Sequence, residues 1–135
     1  MPSTTQSPVE LQRLRMMMRI RRFEERVYVE YTKPWMGIRG FVHLACGQEA
    51  IAVGVAEVHQ RGRDYLIANV RHHAHSLALG MEPAAAMAEL FGYESGCCKG
   101  RGGSMHFFNA TSLPIPTASA ATSCPMPCAI APTPN

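Results

Sequence analysis

Aspartate occurs once in these 135 residues, at position 64. A Mg²⁺–diphosphate site usually takes a carboxylate from the end of a strand, and Asp64 instead precedes the one short apolar run that reads as a strand. No run of about 18 apolar residues is present, so no membrane span is expected. The opening residues, Met1 to Pro8, have neither the basic nor the apolar region of a signal peptide, and the expected location is cytoplasmic. No charged residue follows Arg101. The five cysteines are an odd number, and Cys97 and Cys98 are adjacent. Both points argue against a secreted disulfide framework. No GxSxG elbow, P-loop or CxxC spacing occurs, so a serine nucleophile, a Walker-type phosphate site and a zinc knuckle lack support.

What is present suffices for one modest domain: 47% of the residues are hydrophobic and the net charge is +3. That charge is too small to imply nucleic acid. Residues 8–32 read as a helix, with Leu11, Leu14 and Met18 and then Ile20, Phe23, Val27 and Tyr31 recurring near the helical period. Its arginines are interleaved with Glu24, Glu25 and Glu30, the pattern of a solvated or subunit-facing surface, and Arg21 is expected to pair with Glu25. Residues 47–60 read as a second helix, with Ile51, Val55 and Val58 on one stripe and small residues elsewhere. Residues 65–68 read as a short buried strand. Residues 72–79 read as a short helix stopped by Gly80, and Pro83 opens another that Gly92 closes. After Asn109 the chain is Pro-, Ala-, Ser- and Thr-rich without periodicity, and reads as irregular or disordered.

Two constellations could carry chemistry. Gly96, Gly100, Gly102 and Gly103, with Lys99 and Arg101, form a glycine-rich loop able to approach a phosphate closely. Alone it is no more specific than a tight surface turn. His72, His73 and His75 cluster, with His43 and His106 apart. His72 and His73 are expected on different sides of a helix, and no metal site is predicted.

Several segments in order resemble one family. They are Arg21-Arg22-Phe23-Glu24-Glu25, Gly40-Phe41-Val42-His43-Leu44, Gly47-Gln48-Glu49-Ala50, Arg71-His72-His73-Ala74-His75, Met87-Ala88-Glu89-Leu90-Phe91-Gly92, and the run from Gly96 to His106. Together they are similar to the alpha subunit of the thiamine-diphosphate-dependent dehydrogenase of 2-oxo-acid dehydrogenase complexes, over about residues 15–108. The Gly-Gly-Ser-Met-His form resembles the pyruvate and acetoin branches.

The resemblance implies an α/β fold of which this chain is the N-terminal, mainly helical part of a thiamine-diphosphate-binding domain, followed by an irregular tail. The implied division is a flexible start over residues 1–8, the partial domain over 9–108 and the tail over 109–135. The implied reaction is oxidative decarboxylation of pyruvate with acetyl transfer to a lipoyl group. The alternatives are an acetoin dehydrogenase alpha subunit and a non-catalytic subunit-interaction fragment. The implied cofactors are thiamine diphosphate and Mg²⁺. The implied partners are a beta subunit, in a heterotetramer, and a lipoyl acyltransferase, with no role for nucleic acid or membrane.

By the same resemblance Arg71 matches an arginine that contacts the diphosphate, and Val70 stands where the family usually has a tyrosine. His43, His73 and His106 match histidines near the active-site channel. The family's Gly-Asp-Gly motif, which binds Mg²⁺, is missing. The uncharged tail in its place suggests a truncated or frameshifted alpha subunit, inactive alone and of low stability.

Overall fold

A computed structural model describes residues 8–35, 37–38, 40–60, 63–64, 66–68, 70–109 and 117–118 of the chain. Four helices carry the fold: α1 (Pro8–Tyr31), α2 (Glu49–Val58), α3 (His73–Ala78) and α4 (Pro83–Leu90). A 3₁₀ turn at Gly103–Met105 follows the glycine-rich loop. The expected helices are all present, and their limits follow from local chemistry. At the end of α1 the Thr32 hydroxyl donates to the carbonyls of Tyr28 and Val29 at 3.0 and 3.2 Å, just before Pro34. α3 and α4 each end on a glycine with positive φ, Gly80 at 96° and Gly92 at 76°. Beyond each glycine an N–H reaches back five residues, Met81 to Ser76 and Tyr93 to Ala88, both at 2.9 Å. This left-handed cap satisfies the last helix carbonyls, and a side chain bearing Cβ pays for that φ.

α1 is the long mast against which α2 and α3 pack. Of its two apolar stripes only one enters the core: Ile20, Phe23 and Val27 are buried, whereas Leu14 and Met18 remain 43% and 46% exposed. In α2 the expected stripe is wrong. Ala52 and Val53 face inward, while Ile51 and Val58 are 59% and 75% exposed. The cause is Glu49, whose buried carboxylate meets Arg21 of α1 and so fixes which side of α2 turns inward. Small residues at the contact then let the two helices approach closely.

That same ion pair replaces the expected Arg21–Glu25 pair. The pair one turn apart on α1 is Arg26–Glu30 at 2.7 Å, and Arg13 reaches across to Glu57 of α2. The Glu49 carboxylate also accepts the Gly47 N–H at 3.0 Å. The Arg21 hydrogen bond is the main influence that draws the Glu49 carboxyl down to about 2. A depressed carboxyl pKa gives stability that is complete above the unfolded value and is lost as pH falls through the folded value. The Glu49 contribution should therefore persist above about pH 4.5 and fade towards pH 2. Urea unfolding of the parent chain and of an Arg21→Met variant from pH 6 to pH 2 checks this. The gap between the two should narrow over that interval; a constant gap would refute it.

The expected strand at residues 65–68 is not formed at 66–68, and residue 65 lies outside the described residues. Residues 66–68 lie outside any strand, and Ile67 is 64% exposed. No neighbouring strand among the described residues offers these residues a ladder, and an apolar tetrapeptide does not hold strand geometry without one. The single pairing among the described residues is antiparallel, between β1 (Phe108–Asn109) and β2 (Thr117–Ala118). These residues are thus mainly helical, and the parallel sheet of an α/β fold is absent from them. Pro8, the last residue of the expected flexible start and the first of the expected helix, begins α1. The rest of that start, and of the proline-rich tail except for residues 109 and 117–118, lies outside the described residues.

Candidate functional site

The glycine-rich loop folds around a carboxylate of the chain itself. Glu89, in the last turn of α4, is fully buried. Its Oε2 accepts the N–H groups of Cys98 and Gly100 at 2.7 and 2.9 Å. Its Oε1 accepts those of Gly102 and Gly103 at 2.6 and 3.1 Å. Positive φ at Lys99, Gly100 and Gly103, 55°, 73° and 57°, turns successive amides to one side, the geometry of an anion-binding nest. A Cβ on Gly100 would collide with the backbone of Gly92, and one on Gly96 with Glu89. The loop is thus a tight turn, the plainer of its two readings, closed on Glu89. Its amides are already spent on an internal anion, while the side chains of Lys99 and Arg101 point into solvent.

Beside this loop lies a second buried polar knot. The His73 Nδ1 is 3.3 Å from Oε2 of Glu24, and both side chains are almost wholly inaccessible. Its Nε2 lies 3.1 Å from the carbonyl oxygen and 2.9 Å from Oγ of Ser104. A carbonyl oxygen can only accept, so Nε2 carries a hydrogen. The other ring nitrogen, Nδ1, faces the Glu24 carboxyl. This chain of bonds ties α1, α3 and the 3₁₀ turn together.

His72 and His73 do not diverge, contrary to expectation. Both are buried, with ring centroids 5.5 Å apart, and both pack on Phe107 at 5.3 and 4.9 Å. His72 precedes α3 and so is not bound to the helical spacing; its Nε2 accepts the Phe107 N–H at 3.3 Å.

The other anticipated site residues fall in different settings. His43 is half-buried, with its Nδ1 enclosed and unpaired among the described residues. His106 is half-buried: its Nδ1 lies 3.2 Å from the Gly102 carbonyl and its Nε2 is enclosed and unpaired among the described residues. Arg71 and Val70 are exposed on the turn before α3. Arg71 holds φ at 63°, a strained backbone for a residue with Cβ, and such strain gathers at functional positions. The structure therefore brings His73 against the segment that carries His106. Burial pushes the pKa of the neighbouring His75 down.

The residues that organise this region, Glu89, Glu24, Ser104 and Phe107, were not singled out from the sequence. The available signal was a glutamate beside Leu90 on an otherwise apolar helix, immediately before a run of glycines.

A diphosphate with Mg²⁺ finds little in this arrangement. Arg71 offers one exposed guanidinium, suited to phosphate oxygens. The Asp64 carboxylate accepts the Gln60 N–H at 2.9 Å. Among the described residues the one cluster of three possible ligands is Glu89, Cys97 and Cys98, which is not an oxygen cage of the kind Mg²⁺ takes. The described residues fit a single contact to the diphosphate and do not fit the ion.

The chain matches the model of the dehydrogenase E1 component family over residues 15–131, further than the motif resemblance, which ends near residue 108. Among curated relatives, it is 51% identical over 96 residues to the pyruvate dehydrogenase E1 component subunit alpha of Zymomonas mobilis, covering 70% of this chain and 26% of that protein. It is 45% identical over 100 residues to the subunit of that name from Rhizobium meliloti, covering 74% and 28%. To the alpha subunit of acetoin:2,6-dichlorophenolindophenol oxidoreductase of Cupriavidus necator it is 44% identical over 92 residues, covering 68% and 27%. The aligned part thus spans about a quarter of the length of these relatives.

Proposed function

This chain belongs to the dehydrogenase E1 component family, and from that premise we propose that it supplies part of the alpha subunit of a pyruvate dehydrogenase. The observation that carries the reading is the 51% identity to a pyruvate dehydrogenase alpha subunit over 96 residues. The cofactor of the proposed enzyme is thiamine diphosphate with Mg²⁺, which when bound serves as the electron sink for decarboxylation of a 2-oxo acid. Arg71 is proposed to meet the diphosphate, and Val70 withholds the hydroxyl a tyrosine would offer there. His43 and His106 each keep an enclosed nitrogen without a partner among the described residues, and are the proposed groups for orienting substrate. Both ring nitrogens of His73 are engaged, so it enters as a positioning residue. The described residues do not fit Mg²⁺ and no Gly-Asp-Gly motif occurs in the sequence, and on that ground the chain alone is proposed to be inactive. The proposed partners are a beta subunit and a lipoyl acyltransferase. The exposed apolar stripe of α1, including Leu14 and Met18, is a suitable face for the first of these. No helix among the described residues is long and apolar enough to cross a membrane; the proposed location is the cytoplasm.

The 44% identity to an acetoin oxidoreductase subunit favours a second reading, in which acetoin is the substrate. A chimera separates the two. Residues 15–108 of this chain replace the matching part of the Zymomonas subunit, which is then assembled with its beta subunit and supplied with cofactor. Pyruvate-dependent carbon dioxide release should exceed acetoin-dependent dye reduction at least tenfold in kcat/KM. A preference for acetoin would overturn the proposal. Calorimetry of the chain alone with thiamine diphosphate and Mg²⁺ should show no tight binding.

A further inference from the structure

We propose that Cys97 and Cys98 form a chelating dithiol site for trivalent organoarsenicals, R–As(OH)₂. Both thiols are free and half-buried. Their sulfur atoms and the Glu89 carboxylate lie within 4.8 Å of one another. The backbone beneath them is held, because Glu89 grips the amides of Cys98 and Gly100. The Cys98 thiol donates to the His106 carbonyl at 2.9 Å, which aims it across the loop. A two-thiol ligand therefore meets a pair already gathered and fixed, and loses little freedom on binding.

The two thiols are unequal. The Cys98 proton is given to the His106 carbonyl; the adjacent Cys98 side chain draws the Cys97 thiol below its usual value, and the same contact, with burial, pushes Cys98 far up. Cys97 is accordingly the attacking sulfur. Its thiolate forms the first As–S bond as one As–O bond breaks and hydroxide leaves. The Cys98 S–H then closes the ring, its proton departing with the second hydroxide as water. Arsenic stays trivalent throughout, so no oxidant or reductant is required.

The site is poorly matched to zinc. Structural zinc takes four ligands, and both Glu89 oxygens are already committed to four N–H groups. Two sulfurs complete the demand of an organoarsenical and leave zinc half-ligated. This inference stands independently of the proposed dehydrogenase activity.

Phenylarsine oxide is the probe, followed by intact-mass spectrometry under non-denaturing conditions. The chain carrying Cys46→Ser, Cys124→Ser and Cys128→Ser should take up one equivalent, resist excess glutathione and release it to 1,2-ethanedithiol. Adding Cys97→Ser or Cys98→Ser to that background should weaken binding on the order of 100-fold, the loss expected when a chelate becomes a single attachment. Should those variants fail to fold, the unaltered chain decides the matter. One equivalent of the arsenical should then protect Cys97 and Cys98 together from iodoacetamide in peptide maps. Undiminished binding by either single-serine variant, or protection confined to Cys124 and Cys128, would overturn the site.

Discussion

Replacing Glu89 by glutamine should destabilise the chain by about 3–5 kcal/mol, as read from the shift in its urea midpoint. The side chain keeps its shape, so the loss isolates the carboxylate. Glutamine offers one accepting oxygen in place of two and turns an NH₂ group towards amides that themselves donate. Two of the four N–H groups now bound to Glu89 are then left without an acceptor in a buried setting. Each such donor costs about 1–3 kcal/mol, and bonds to a charged acceptor lie at the upper end of the range. Against a total folding free energy of about 5–15 kcal/mol, this is a large fraction. Glu89→Asp, one methylene shorter, should fall between the parent and the glutamine variant. A glutamine variant within about 1 kcal/mol of the parent would mean that the loop keeps its form without the carboxylate. Loop proteolysis offers a second readout: cleavage after Lys99 and Arg101 should quicken in the glutamine variant, because those side chains already face solvent.

A comparable loss is expected from breaking the Glu24–His73 contact. His73→Leu leaves the Glu24 carboxyl buried and unmatched, and Glu24→Leu leaves Nδ1 of His73 so, at a cost of up to about 3–5 kcal/mol. The double variant removes both polar groups, and two apolar side chains of similar bulk can repack the space. Its cost should therefore fall short of the sum of the single costs by about 2–3 kcal/mol. Glu24 is the more demanding partner, because its Oε1 is also buried without a hydrogen bond among the described residues. The His73→Leu variant leaves a carboxyl group wholly unpartnered and should be the worse of the two singles. A thermodynamic cycle by urea unfolding at pH 7 measures the coupling. Single effects that add to within about 0.5 kcal/mol would show that the two side chains do not act as a pair.

The limits of the helices were legible in the sequence. Pro34, Gly80, Pro83 and Gly92 act through φ and through the presence or absence of an N–H, and such effects need no tertiary partner. The core stripe of Ile20, Phe23 and Val27 was legible for a similar reason, since its spacing matches the helical period. The ordered motifs from Arg21 to His106 also determined the family, because order and spacing along a chain survive without coordinates.

What the sequence could not decide is which of several equivalent faces turns inward. α2 carries Ile51 and Val58 on one side and Ala52 and Val53 on another, and the choice rests on Glu49 meeting an arginine 28 positions earlier. Residues 65–68 have strand composition, but a strand also needs a neighbour. The largest change in meaning belongs to the glycine-rich loop. Its glycines announced an approach to an anion, and the anion proved to be a glutamate of the preceding helix. Glycine spacing determined that the backbone could form a nest; only tertiary structure decided what fills it, because a carboxylate carried on α4 reaches those amides without loss of translational freedom.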